Sequence, residues 1–144
     1  MGLDCYIVHG NDRDKNFTHE DDERIKDVNL VGGMFSGFGA DGSFRGKAYA
    51  PLIEELSNDD HTWYIDQDED AYVTSDTLKE QADLLADLIQ AKVDIADEDG
   101  IVIGDEDIIY QSRCNCEYTY KEVMDLMTLL RVAAERKAVM TVWY

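Results

Sequence analysis

The residues of this chain best suited to binding an anion lie in a glycine-rich stretch, GGMFSGFGADGSFRGKAYA, at residues 32–50. Backbone N–H groups that run from glycines into a helix N-terminus, with basic side chains beside them, can hold a phosphate. A dinucleotide fingerprint also needs a hydrophobic strand before its first glycine, and the preceding NLVGGMFS is a poor strand. The stretch is therefore either a phosphate or nucleotide site or a loop whose phenylalanines enter the core. The candidate ligand-binding residues are Gly37, Gly39, Gly42, Ser43, Arg45 and Lys47.

Two acidic segments resemble calcium-binding loops, in which oxygen ligands recur at set positions around a turn glycine. In the first segment, Ala71 replaces that glycine and Thr77 replaces the bidentate glutamate. In the second segment, Ile95 occupies the first ligand position. Each loop lacks a part that the coordination requires, so we expect no cofactor and keep Ca²⁺ only as a weak alternative. The calcium candidates are Asp66, Asp68, Asp70, Asp97, Asp99 and Glu106.

A further set of carboxylates falls on one face of a predicted helix. At about 100° per residue they lie within about 40° of one line and extend over about 27 Å. Such a row could dock on a basic surface of another protein, or it could be an ordinary solvated face. Duplex DNA carries about sixteen charges over that length, so a DNA mimic would need the neighbouring acidic clusters as well. These residues, called the acidic row below, are Asp76, Glu80, Asp83, Asp87 and Asp94.

Groups able to perform catalysis are sparse. The chain has three histidines and three cysteines, and no Ser-His-Asp or Cys-His order stands out. Cys114 and Cys116 form a C-x-C pair, but without a second pair at ligand spacing the metal signal is weak, and we expect buried thiols. A non-enzymatic protein is the expectation, and a small hydrolase of unknown substrate is the enzymatic alternative.

Charge is distributed unevenly along the chain. The formal net charge is −19, and residues 51–100 carry sixteen acidic and two basic side chains. Most of this surface would repel a polyanion, which excludes direct nucleic-acid binding and favours a protein partner with a basic surface. Apolar runs are far shorter than the ~20 residues that span a bilayer, and the N-terminus lacks the parts of a signal peptide. We expect a cytoplasmic protein with no membrane partner.

Hydrophobic periodicity predicts an α+β fold, organised as one domain over residues 1–144. A small mixed or antiparallel sheet is expected to pack with two long amphipathic helices and one short helix. LDCYIVH and VMTVWY predict a first and a last strand that can pair with each other. Strands are also expected at 61–65 and 71–73, and a hairpin is expected between 101–103 and 108–110. Residues from about 10 to 46 are expected to form a long polar and glycine-rich loop.

Three apolar patterns predict the helices. A four-residue spacing from Phe44 to Leu56 predicts the short helix, and Pro51 must either lie in its first turn or kink it. The first long helix follows a possible capping box at Thr77 and Glu80, and the second follows one that starts at Thr119. The second long helix has the broader apolar surface, so we expect it to be the most buried element. The stripe of the first long helix consists of Leu78, Ala82, Leu85, Ile89 and Val93.

The segments MGLDCYIVHG and GGMFSGFGADGSFRGKAY resemble stretches in small uncharacterised proteins of tailed bacteriophages. The resemblance covers the first third of the chain and the aromatic C-terminus. It implies expression inside a bacterial host cell and assigns no activity, so it supplies no functional residue. Our leading prediction is an acidic binding or inhibitor-type protein, encoded by a phage, that docks its carboxylates on a nucleic-acid-binding protein.

Overall fold

The computed structural model describes residues 4–8, 23–25, 27–31, 43–58, 63 and 72–143. Within these residues the fold is α+β, as the sequence predicts. The strands are β1 (Asp4–Val8), β2 (Ser43–Arg45), β3 (Tyr72–Val73), β4 (Ile108–Gln111), β5 (Glu117–Thr119) and β6 (Val139–Trp143). The helices are α1 (Ala50–Ser57), α2 (Ser75–Glu98) and α3 (Tyr120–Glu135), with a 3₁₀ turn at Gly46–Ala48.

The larger sheet is antiparallel and has the strand order β2-β1-β6-β3. The first and last strands of the chain pair along their whole length, from Asp4 opposite Trp143 to Val8 opposite Val139. This confirms the predicted pairing of the two ends. Within the region expected to be a loop over 10–46, the described residues contain a helical turn at 23–25 and strand β2.

Pro51 lies in the first turn of helix α1, where an N–H group has no partner within the helix and the missing N–H of proline removes no hydrogen bond. The predicted helical spacing from Phe44 is wrong at its start, because Phe44 lies in β2. Its ring packs edge-on against Trp63 at 5.8 Å and against Tyr49 at 6.0 Å between ring centroids. Phe44 was therefore an apolar position of the sheet rather than of the helix. The predicted strand at 61–65 falls outside the described residues except for Trp63, which lies in a bend.

Helix α2 starts earlier than the sequence suggested. Thr74 has an extended backbone, and its hydroxyl accepts a hydrogen bond from the Thr77 N–H at 3.3 Å, so Thr74 is the N-cap. The proposed capping box at Thr77 and Glu80 is wrong, because both residues lie inside the helix. The predicted stripe is confirmed: Leu78, Ala82, Leu85 and Ile89 are buried, and Val93 is half-buried.

Helix α3 is the most buried helix, as predicted. Thr119 caps it by accepting a hydrogen bond from the Glu122 N–H at 3.1 Å. Its inward face packs against α2, and its buried side chains belong to one core cluster with Val73 and Met140 of the larger sheet. The side chains with no exposed area on this helix are Val123, Leu126, Leu129, Leu130, Val132 and Ala133. Among the described residues, no helix is both long enough and apolar enough to cross a membrane.

The hairpin after α2 differs from the expected one. Strand β4 pairs with β5 around residues 112–116, and not with residues 101–103. Those three residues belong to no strand, because the chain reverses at the end of α2 through Gly100, whose φ of +68° is left-handed. Ile101 and Val102 of the apolar triplet therefore lie on the surface, where Val102 is 91% exposed, whereas Ile103 is half-buried against the core.

Candidate functional site

All five residues of the acidic row are exposed on α2. From Asp76 to Asp107 the chain carries eleven acidic and two basic side chains, and all eleven acids are exposed. Two of these acids accept hydrogen bonds from their own segment: Asp94 from Gln90 at 2.8 Å and Asp107 from the Gly104 N–H at 2.7 Å. Between described residues, none of the eleven forms a salt bridge. This set of eleven is called the acidic surface below.

Carboxylates on α3 are used differently, because they hold the fold together. Asp125 is only 8% exposed and accepts hydrogen bonds from the Lys121 ammonium at 2.8 Å and from the Asn29 N–H at 3.1 Å. The hydrogen bond with Asp125 raises the pKa of the Lys121 ammonium. Glu135 forms a salt bridge with Arg24. These acids fix the 23–31 segment on α3, whereas the acidic surface is left to solvent.

The C-terminal end of α2 concentrates negative charge where a helix disfavours it. The last turn contains no basic residue, and Asp94, Asp97 and Glu98 all lie within the final five positions. The partial negative charge at a helix C-terminus makes each nearby carboxylate unfavourable by about 0.3–1 kcal/mol at low salt. The sequence of this helix end therefore works against helix stability.

A Schellman motif closes the same end of α2. The Ile101 N–H donates to the Ala96 carbonyl at 2.8 Å, and the Gly100 N–H donates to the Asp97 carbonyl at 3.1 Å. The motif reverses the chain so that Ile101 and Ile95 both line one groove at the helix end. Gly100 supplies the left-handed conformation that this reversal needs.

The next loop is held against the start of α3. Two N–H groups of the first turn of α3, those of Tyr120 and Lys121, donate to the carbonyls of Asp107 and Asp105 at 2.8 and 3.1 Å. These donors have no partner within the helix, so the loop satisfies them. The loop thus caps the start of α3, which holds it in place. The groove between this loop and α2 is therefore preformed.

This groove has a volume of about 250 Å³ and is mostly apolar, with Lys92, Asp99 and Asp107 among its lining residues. It is called the apolar groove below. Four large apolar side chains in and beside it keep half or more of their surface exposed: Ile95 (56%), Ile101 (57%), Val102 (91%) and Ile108 (50%). Sequence reasoning missed this feature, because it assigned Ile101–Ile103 to a strand. The sequence does contain a sign of this exposed apolar patch, because the triplet Ile101–Ile103 lies between two glycines with acidic residues on either side.

A second groove, of about 330 Å³, lies between α2 and α3. It brings together Lys79, Arg131 and Lys137 with Asp83 and Glu135. Cationic side chains are thus not confined to the glycine-rich stretch, and Asp83 of the acidic row borders a partly basic groove. The apolar groove at the other end of α2 has one cationic side chain, Lys92, in its lining, where this second groove has three.

Three of the candidate anion-binding residues, Gly37, Gly39 and Gly42, lie outside the described residues. Ser43 and Arg45 lie in β2, and Lys47 lies in the 3₁₀ turn that follows it. The Arg45 N–H donates to the Val31 carbonyl at 2.8 Å. The described part of this stretch therefore uses that N–H group in the fold and exposes the side chains of Arg45 and Lys47.

The calcium candidates are divided in the same way. Asp66, Asp68 and Asp70 lie outside the described residues. Asp97 lies in the last turn of α2, Asp99 is its C-cap and Glu106 lies in the following turn, all exposed. Within the described part of the chain, no three Asp, Glu, His or Cys side chains converge as a metal site would require.

The expectation of buried thiols is wrong for Cys114, which is exposed, and Cys116 is half-buried. Both lie in the turn between β4 and β5, with their sulfur atoms 3.4 Å apart. Cys5 lies in β1.

The chain matches no protein-family model, no curated protein and no solved structure. The candidate sites therefore rest on their geometry alone.

Proposed function

We propose that this protein is a non-enzymatic binding protein that docks its acidic surface on a basic protein partner. The observation that carries the proposal is the apolar groove at the C-terminal end of α2, surrounded by exposed carboxylates that form no salt bridge with another described residue. A solvated face needs only charge, whereas this surface also exposes four large aliphatic side chains. Apolar centres surrounded by polar residues are typical of protein interfaces.

The chemistry of the groove defines the partner. Its aliphatic lining fits one or two apolar anchor residues, and Asp99 and Asp107 favour lysine or arginine beside them. The partner surface is therefore an amphipathic segment whose apolar side chains alternate with basic ones, as on a nucleic-acid-binding protein. Electrostatic attraction would speed the encounter and make it sensitive to salt.

The energies indicate that apolar contact and charge complementarity must both contribute to the affinity. Burying a Val, Leu or Ile side chain fully contributes about 1.5–3 kcal/mol, so covering the exposed parts of the four aliphatic side chains would contribute about 4–8 kcal/mol. Association costs about 4–15 kcal/mol in lost freedom of motion. The apolar contact alone is thus insufficient, and charge complementarity must supply part of the affinity.

The experiment uses a fluorescent synthetic peptide that forms a helix with leucines on one face and lysines beside them. Anisotropy is measured at low and at several-fold higher salt, with a matched peptide that carries glutamates in place of the lysines. We expect the lysine peptide alone to bind, with an affinity that falls steeply as salt rises. Affinity indifferent to salt would contradict the proposal.

Two matched pairs of variants locate the contact. Asp94→Lys with Asp99→Lys changes the acidic surface beside the apolar groove, and Asp27→Lys with Glu117→Lys makes the same change in net charge at exposed positions elsewhere. We expect only the first pair to lose most of its affinity. Equal losses would show attraction to net charge without a defined surface.

The apolar part is tested in the same way. Val102→Ser removes an exposed side chain beside the groove, and Val31→Ser removes a 52% exposed valine in another segment. We expect about tenfold weaker binding for the first variant, since burial of a valine side chain contributes about 1.5 kcal/mol or more, and no change for the second. Identical affinities would remove the groove from the proposed interface.

A further inference from the structure

We propose that Cys114 and Cys116 form a thiol–disulfide exchange site that reacts with low-molecular-weight disulfides. The proposal does not depend on the acidic surface. It rests on two thiols held in contact at the tip of the hairpin between β4 and β5.

Local backbone geometry brings the two thiols together. The Asn115 N–H donates to the Ser112 carbonyl at 3.0 Å, and the Ser112 N–H donates to the Cys116 carbonyl at 2.8 Å. Asn115 between the cysteines has a left-handed φ of 66°, which asparagine tolerates better than most residues. These are the features of a three-residue hairpin loop with a bulge. The bulge returns the chain so that Cys116 lies beside Cys114.

The turn is anchored from outside as well. Both carboxylate oxygens of Glu55, on α1, accept hydrogen bonds from the Arg113 N–H, at 3.2 and 3.0 Å. The Tyr110 hydroxyl also donates to Glu55, at 2.9 Å. These contacts tie the hairpin tip to α1. The two cysteines are thus placed by a fixed turn.

The environment gives the two sulfurs different roles. The Ser112 hydroxyl lies 3.1 Å from the Cys114 sulfur and accepts a hydrogen bond from the Cys116 N–H at 3.0 Å. Hydrogen bonding from Ser112 is the main cause that lowers the pKa of Cys114, and the hydrogen bond shared with Cys114 raises the pKa of Cys116. The thiolate is the nucleophile in exchange, so exposed Cys114 attacks first and half-buried Cys116 resolves.

The exchange is balanced in two steps. The Cys114 thiolate attacks one sulfur of the small disulfide, a new S–S bond forms, and one thiolate leaves and takes a proton from water. Cys116 then loses its proton to solvent and attacks the Cys114 sulfur, which releases the second thiolate. The small disulfide gains two electrons and becomes two thiols, while the cysteine pair loses two electrons and becomes a disulfide. The two sulfurs must approach by roughly 1.3 Å to reach bonding distance.

The test places the reduced protein, with Cys5→Ser to leave only the pair, in buffers of reduced and oxidised glutathione. Free thiols are then alkylated, and the products are identified by intact mass and peptide mapping. We expect an intramolecular Cys114–Cys116 disulfide that forms as the oxidised fraction rises and reverts when it falls. Retention of both free thiols in excess oxidised glutathione, or glutathione held on both cysteines without an internal bond, would overturn the proposal.

Single-cysteine variants test the order of attack. Cys116→Ser should accumulate a mixed disulfide on Cys114, because the resolving thiol is missing. Cys114→Ser should react several-fold more slowly, since the remaining thiol of Cys116 is less exposed. Equal rates for the two variants would refute the assigned roles. Circular dichroism before the reaction confirms that each variant is folded.

Discussion

Removing negative charges at the C-terminal end of α2 should stabilise the protein, although these charges belong to the acidic surface that is proposed to bind the partner. The change is Asp97→Asn together with Glu98→Gln, which keeps the shape and nearly the helix propensity of both side chains. Both residues are exposed, so no buried contact is lost. The variant therefore isolates electrostatics at the helix end.

The magnitude follows from the position of the two charges. Each carboxylate in the last turn opposes the helix dipole by about 0.3–1 kcal/mol. Asp94 lies three and four residues before them, and each such like-charge pair is unfavourable by about 0.2–0.5 kcal/mol. We expect the free energy of unfolding to rise by about 1–3 kcal/mol at low salt, as measured by urea denaturation. The gain should shrink at high salt because these groups are screened.

Asp76→Asn is the matched control, because Asp76 lies in the first turn of the same helix. There the dipole favours a carboxylate, so removal of its charge should give no gain in stability. An equal gain per charge at both ends would show that overall net charge, and not position on the helix, is responsible. A loss of stability in the Asp97 and Glu98 variant would refute the reasoning outright.

Two further predictions concern single side chains. Thr74→Ala should lower the free energy of unfolding by about 1 kcal/mol, since it removes the N-cap of α2, whereas Thr77→Ala should change it little. Thermal unfolding compares the stability of the two variants. A larger loss of stability in Thr77→Ala would indicate that Thr77 is the cap. Burial raises the pKa of Tyr49 to about 12, above its ordinary value of 10.0. The stability that the buried neutral hydroxyl contributes is therefore fully present below about pH 10 and is lost as pH rises towards 12. Urea denaturation across this range should show a loss of about 2 kcal/mol from this residue that is absent in Tyr49→Phe; an identical decline in the variant would assign it to other groups.

Local patterns in the sequence were enough to predict the helices and the two terminal strands. The stripe from Leu78 to Ile89 recurs at the helical period, and Thr119 with Glu122 marks the start of α3. These signals depend on residues three or four positions apart, so the sequence carries them directly. The exposed acidic row also follows from that periodicity, since the face opposite a buried stripe must lie in solvent.

The apolar groove and the cysteine pair needed the tertiary structure. The triplet Ile101–Ile103 has the composition of a strand, but the left-handed Gly100 and the capping of α3 by the following loop leave it outside any strand, with Ile101 and Val102 exposed. Cys114 and Cys116 have the spacing of one face of a strand, but a turn with a left-handed residue at Asn115 places their sulfurs in contact. The sequence determined the charge, the helical faces and the terminal strands, because each is written in local spacing. Which strands pair, and where the chain reverses, depends on contacts between distant residues, and these decided both candidate sites.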